Sequence, residues 1–270
     1  MIPILSGKGD DVLEQIAAAH ALLAFDYDGT LAPYTDERGA ASMRPETRTL
    51  LRTAALLYPC AVISGRARVD VAARVEGIPL IGVIGNHGAE AGFGPLDGSL
   101  HARVAEWQKM LEPVLADADG VEIENKGFSI ALHHRRARSW SEARRRIREA
   151  IAPLERAIVF EGHAVVNVLP EGAPTKANAI RQLCERFSLN VVVYVGDDRS
   201  DEEAFQCEAV TVSIRIGIDS GSRARFALPE QADVDELLRA FIVARAQLDG
   251  RGADCDGIVR ALGGDAGGRA

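Results

Sequence analysis

The chain has 270 residues, 47% of them hydrophobic and 26% charged, an ordinary globular balance that excludes disorder over most of its length. A formal net charge of −8 argues against nucleic acid or an anionic membrane surface as a partner, although a local basic pocket can still hold a small anion. Cys60, Cys184, Cys207 and Cys255 lack C-x-x-C spacing and are expected as reduced thiols; with no signal-peptide pattern and no apolar run near ~18 residues, the expected compartment is the cytoplasm.

In chain order, apolar residues at helical spacing (Val12, Leu13, Ile16, Ala17) predict a short helix from Asp10 to Ala19. The apolar run Ala21 to Phe25 predicts a strand buried on both faces, with Asp26 at its carboxyl end. A helix over Pro45 to Leu57, a strand Cys60 to Ser64, a helix over 67–75 and a strand Leu80 to Gly85 continue the alternation of an α/β parallel sheet. From about Gly92 the pattern changes: helix over 100–118, a half-exposed strand or hairpin over 121–135, helix over 139–156, and a hairpin over 157–170 turning at Glu161-Gly162. Seven arginines between Arg135 and Arg148 read as a solvated helix face with partners such as Glu142 and Glu149. After Pro174 the alternation resumes with helix Lys176 to Phe187, strand Asn190 to Val195, strand Val210 to Ile216 and helix Val234 to Leu248. The expectation is a Rossmann-like α/β core in two segments, 1–95 and 171–250, an inserted α+β domain over 96–170, and a glycine-rich flexible tail over 251–270.

Polar residues stand at the strand ends, the edge where such sheets bind ligands. Asp26 and Asp28, two apart and followed by Gly29, can turn both carboxylates to one point, and Asp197, Asp198 and Asp201 follow another buried strand. A hard cation such as Mg2+ would relieve their repulsion and admit a phosphate. Ser64 and the Gly65 N–H can donate to phosphate oxygens, and Lys176 opens a helix with an ammonium. Alone, Asp-x-Asp-Gly-Thr is also turn chemistry; the ordered set DYDGT, SGR, Lys176 and GDDRSD is far more specific.

These four elements resemble the haloacid dehalogenase (HAD) superfamily. The resemblance implies Asp26 as nucleophile, Asp28 as general acid and then base, Ser64 and Lys176 as stabilisers of the phosphate, and Asp26, Asp28 and Asp197 around Mg2+, with Asp198 and Asp201 as supporting acidic residues. Within the superfamily, FDYDGTL, SGR, GNHGAE, ENKGFSIALHHR and GDDRSDEEAF resemble the trehalose-6-phosphate phosphatases, which implies a sugar phosphate as substrate and a cap closing over it. Glu122, Glu124 and Lys126 share one strand face by the period of two and, with Arg66, Asn86, His87 and Asn167, are candidates for the sugar. His87 taken alone reads more readily as a structural histidine. Two positions depart from the family pattern: Asn167 where a glutamate is usual, and Ala177 where a glycine follows the lysine. Asn167 leaves open a glucosyl- or mannosyl-phosphoglycerate or a hexose phosphate as substrate; a phosphosugar-binding module without catalysis is the reading from another class.

Overall fold

The computed structural model describes residues 1–35, 40–91, 98–162, 164–250 and 254–264. The strands are β1 (Ile2–Pro3), β2 (Leu22–Phe25), β3 (Cys60–Ile63), β4 (Gly82–Ile84), β5 (Glu122–Asn125), β6 (Ile130–His133), β7 (Ala157–Gly162), β8 (Val165–Pro170), β9 (Val192–Gly196), β10 (Val212–Ile216) and β11 (Phe226–Leu228). The helices are α1 (Asp10–Ala18), α2 (Pro45–Leu57), α3 (Arg68–Arg74), α4 (Gly98–Leu115), α5 (Trp140–Ile151), α6 (Lys176–Phe187), α7 (Glu202–Phe205), α8 (Val234–Leu248) and α9 (Cys255–Gly264).

Seven strands form one parallel sheet in the order β1-β11-β10-β9-β2-β3-β4. Side chains alternate across it and build two cores. Leu23 and Phe25 of β2 join Val193, Val195 and the apolar faces of α1, α2 and α8 on one side. Leu22 and Ala24 join Tyr194, Ile63 and α6 residues Ile180 and Leu183 on the other. Burial on both faces is why these strands read as unbroken apolar runs.

Strands β5, β6, β8 and β7 form a separate antiparallel sheet in that order. Val104, Trp107, Leu111 and Leu115, spaced for one face of α4, pack with Ile147 and Ile151 of α5 beneath Ile130, Leu132, Val166 and Val168. The insert thus has its own core, within 98–170; the expected boundary at 95/96 lies outside the described residues.

Two expectations are corrected, and two strands are added. Strand β7 runs through Gly162, so its hairpin turns between Gly162 and Val165 rather than at Glu161-Gly162. The short strands β1, at the sheet edge, and β11, between β1 and β10, had no apolar run long enough to announce them. The tail expected to be flexible carries α9, which places Cys255, Ile258, Val259 and Leu262 at helical spacing against the α1/α2/α8 core; the surrounding glycines masked that stripe. Residues 251–253 and 265–270 lie outside the described part. Among the described residues, no helix is long and apolar enough to cross a membrane.

Candidate active site

Strand order alone brings the polar strand ends together. β2 lies between β9 and β3, so Asp26, Asp197 and Ser64 leave the carboxyl ends of three adjacent parallel strands, at the point where the sheet order reverses direction. The Asp26 N–H still bonds to the Val195 carbonyl at 2.9 Å, continuing the sheet to the first residue of the site.

Lys176 is fixed by its helix. Thr175 caps α6 in a reciprocal capping box with Asn178, which makes Lys176 the first helical residue. Its buried ammonium lies 3.0 Å from Asp26 Oδ2 and 2.7 Å from Asp201 Oδ1. Burial opposes the charge on Lys176, but Asp201 and Asp26 outweigh it and hold its pKa above the ordinary range. Asp26 is shifted the other way: burial, followed by repulsion from Asp201 and Asp197, pushes its carboxyl up despite Lys176. Asp26 Oδ1 also accepts the Tyr27 N–H at 2.7 Å.

Asp201 is fully buried and its two oxygens accept four hydrogen bonds, from Lys176, the Tyr194 hydroxyl (2.6 Å), and the N–H groups of Asp197 (3.0 Å) and Asp198 (2.9 Å). A carboxylate offers about four such positions, so Asp201 is saturated by protein donors. Asp198 caps the following turn, accepting the Arg199 N–H at 2.6 Å, and lines the cavity. Asp197 accepts the Thr30 hydroxyl at 3.2 Å and the Tyr34 hydroxyl at 2.7 Å. Burial and then the Asp201 charge push its carboxyl up to about 7.

Asp28 lines the same cavity, gripped by both arms of Arg66 at 2.6 Å each; Arg66 also reaches Asp70 at 2.7 Å, and Asp70 reaches Arg74. Ser64 is fully buried behind the cavity wall, where its Oγ accepts the Arg66 N–H. Residues 86–88 form a single turn with three successive positive φ values, 49° at Asn86, 57° at His87 and 116° at Gly88. Two consecutive non-glycine residues there cost of order 1 kcal/mol each or more and persist only where surroundings fix them. A Cβ on Gly88 would collide with the Thr175 carbonyl, and one on Gly65 would lie 2.6 Å from the His87 ring. His87 is 7% exposed and lines the cavity; among the described residues, neither ring nitrogen has a hydrogen-bond partner. Burial, then the charges of Lys126 and Lys176, keep the ring neutral, with Asn167 opposing.

The cap supplies the opposite wall of this cavity of about 360 Å3, within the ~300–1,000 Å3 range of small-molecule sites. Glu122, Glu124, Lys126 and Asn167 line it together with Asp26, Asp28, Gly65, Arg66, His87 and Lys176. Ser64 and Asn86, expected as contacts, do not line it. The Asn86 amide is fully buried and turned to the cap. Of the arginine run, Arg145 pairs with Glu142 and Glu149 as expected of a solvated face, whereas Arg135 and Arg136 line the cavity.

The acidic group suits a hard cation. Asp26, Asp197 and Asp201 bring carboxylate oxygens within 4.8 Å of one another, against the single buried ammonium of Lys176. Burial first, and then repulsion among these carboxylates, raises Asp26 and Asp197, and all the donors are oxygens, the ligand type of Mg2+.

The family model described as trehalose-phosphatase matches residues 24–230, which covers most of the chain. The chain belongs to the trehalose-phosphatase family. It is 32% identical over 261 residues to the trehalose-phosphate phosphatase of Mycobacterium tuberculosis H37Rv, covering 84% of this chain and 64% of that protein. It spans between 59% and 75% of the length of the plant and mycobacterial relatives it matches. Among solved structures, the C-terminal domain of a C. albicans trehalose-6-phosphate phosphatase superposes with a TM-score of 0.75 at 20% identity, over 90% of this chain and 98% of that one. A HAD subclass IIB sugar phosphatase superposes at 0.56 and 15% identity, over 82% and 98%. These likenesses establish the HAD fold of this trehalose-phosphatase family member.

Several residues of the family member's site were not legible in sequence. Tyr34 and Thr30 reach Asp197 from the loop after β2, and Tyr194 reaches Asp201 from inside a strand that read as pure core. His133, which bonds Glu124 at 2.9 Å, lies opposite Glu122 in the β5/β6 register. The alternation of IALHHR carried that signal, and the register was needed to use it.

Proposed function

We propose that this chain hydrolyses trehalose 6-phosphate to trehalose and phosphate through an aspartyl-phosphate on Asp26. The observation that carries the reading is one cavity shared by the Asp26–Lys176 pair and the polar face of the cap, Glu122, Glu124, Lys126 and Asn167, in a member of the trehalose-phosphatase family. The phosphate end needs a carboxylate nucleophile with cationic support, and the sugar end needs several hydrogen-bonding groups for hydroxyls.

In the first half-reaction an Asp26 carboxylate oxygen attacks phosphorus, the P–O bond to the sugar breaks, and the leaving oxygen takes a proton from Asp28. In the second, Asp28 takes a proton from water, whose oxygen attacks phosphorus and frees Asp26 with inorganic phosphate. Lys176 balances charge on Asp26 and the phosphoryl oxygens, and Gly65 permits close approach of backbone to phosphate. Arg66 grips Asp28 in this structure, so substrate has to compete for that carboxylate before it can serve the leaving oxygen. Asp26 and Asp197 would hold Mg2+, with Asp201 acting from behind by fixing Lys176 and the 197–198 backbone. The cation supplies neutralisation of phosphate charge and orientation of its oxygens. Glu124 and Lys126, with Glu122, Arg66, His87 and Asn167, would meet the sugar.

Phosphate release from trehalose 6-phosphate, measured beside other sugar phosphates and with magnesium chelated, tests the reading. Turnover that survives chelation, or none with any sugar phosphate, overturns it. Calorimetric titration of Mg2+ into Asp197→Ala separately tests the metal: unchanged affinity refutes the assignment. Asn167 favours a second reading of the sugar alone, since an amide accepts and donates where the family pattern has an anion; a faster rate on a phosphoglycerate glycoside or hexose phosphate would support it.

A further inference from the structure

We propose that Asn86 is a positioning residue that latches the cap onto the core and thereby sets the Lys126 ammonium inside the cavity, where it meets the sugar. The inference rests on the hydrolase reading for its kinetic arm and on geometry alone for its structural arm.

Asn86 is 0% exposed, and both ends of its amide cross the domain boundary to one cap turn. Its Nδ2 donates to the Lys126 carbonyl at 2.7 Å, and its Oδ1 accepts the Ser129 hydroxyl at 2.7 Å. That turn, between β5 and β6, is itself closed by the Lys126 N–H on the Ser129 carbonyl at 2.9 Å. Held this way, Lys126 extends its Nζ to the Gly65 carbonyl at 2.9 Å, and Lys126 and Gly65 line the cavity with Asp26 and Lys176. The core side is equally fixed: the Asn86 N–H bonds to the Arg66 carbonyl at 2.7 Å, and Gly88 packs against the Thr175 carbonyl at the start of α6. One strained turn therefore touches the cap through Asn86, the cavity through His87 and the Lys176 helix through Gly88.

The chemistry is specific to an amide. The two cap partners are one acceptor and one donor, which Asn satisfies together. Asp has the same size and tolerance of positive φ, but presents an oxygen to the Lys126 carbonyl where Nδ2 now donates. Buried and committed to protein partners, Asn86 meets the substrate only through what it holds in place.

The experiment compares Ser129→Ala and Asn86→Asp with the parent chain and repeats Ser129→Ala in a Lys126→Met background. Small-angle scattering of the free protein reads closure: both single variants should increase the radius of gyration, and an unchanged radius overturns the latch. This arm needs no substrate, so it stands even if trehalose 6-phosphate is not hydrolysed. Kinetically, Ser129→Ala should lower kcat/KM for trehalose 6-phosphate about tenfold while changing p-nitrophenyl phosphate, which has no sugar for the cap, less than twofold. In the Lys126→Met background it should have no further effect. Equal losses on both substrates, or full additivity with Lys126→Met, would reduce Asn86 to a structural residue and overturn its role in placing Lys126.

Discussion

Lys176 lies closer to Asp201, at 2.7 Å, than to Asp26, at 3.0 Å. The ammonium beside the nucleophile is thus anchored by a second, fully buried carboxylate that also holds the Tyr194 hydroxyl and two backbone N–H groups. Asp201→Asn leaves Lys176 with one partner and turns an N–H toward existing donors. Breaking a buried pair in this way costs about 3–5 kcal/mol, so urea unfolding should show a loss of that order. Wild-type stability in the variant would mean that Asp201 does not anchor Lys176.

Asp26→Asn keeps the shape of the side chain and removes the nucleophile. Phosphate release should fall by at least about a thousandfold. Because Asp26 is repelled by Asp201 and Asp197, the thermal midpoint should be unchanged or higher. A variant that folds normally and keeps substantial turnover would exclude the aspartyl-phosphate route.

Gly65→Ala would bring a methyl group 2.6 Å from the His87 ring, on a turn whose positive φ values leave it little freedom to retreat. Overpacking of this kind costs about 1–3 kcal/mol, and here it also narrows the cavity, so KM should rise along with the stability loss. Gly82→Ala meets the flexible end of Leu183 away from the cavity and should leave KM unchanged. Equal KM values for the two variants would separate Gly65 from substrate binding.

His134 gives a pH dependence remote from the chemistry. It is 1% exposed, stacks edge-on against Trp140 at 5.7 Å and accepts from Arg144 at 3.2 Å. Burial, then the Arg144 charge, lowers its pKa; His133 adds to the shift, and the Leu132 backbone and Glu161 oppose it. The unfolded chain takes a proton on this ring near pH 6.5 and the folded one does not, so stability is lost as pH falls below ~6.5 until the lower folded value is reached. Between pH 7.5 and 5.5 the parent should lose stability relative to His134→Gln, with a slope that cannot exceed ~1.4 kcal/mol per pH unit for one proton. A pH-independent difference in urea unfolding between the two would contradict a neutral buried ring.

What the sequence by itself determined was the set of strand ends. LLAF, CAVI and VVYVG are apolar on both faces, and such runs fit only the middle of a parallel sheet, so the polar residues following them, Asp26, Ser64 and Asp197, had to fall at its ligand-binding edge. The capped start of α6 fixed Lys176 in the same local way. What only the tertiary structure decided was which polar groups face the cavity and which serve another residue. Asp201 follows Asp197 by four positions and looks equally fit for a metal, yet its oxygens accept from Lys176, 25 residues earlier, and from Tyr194. Asn86 sits in a motif that looks ready for substrate, yet it bonds to a cap turn 40 residues away. Hydrophobic patterning is local and survives in one dimension. The commitment of a hydrogen-bonding group is settled by partners that chain topology brings from far off, and composition and spacing do not encode those distances.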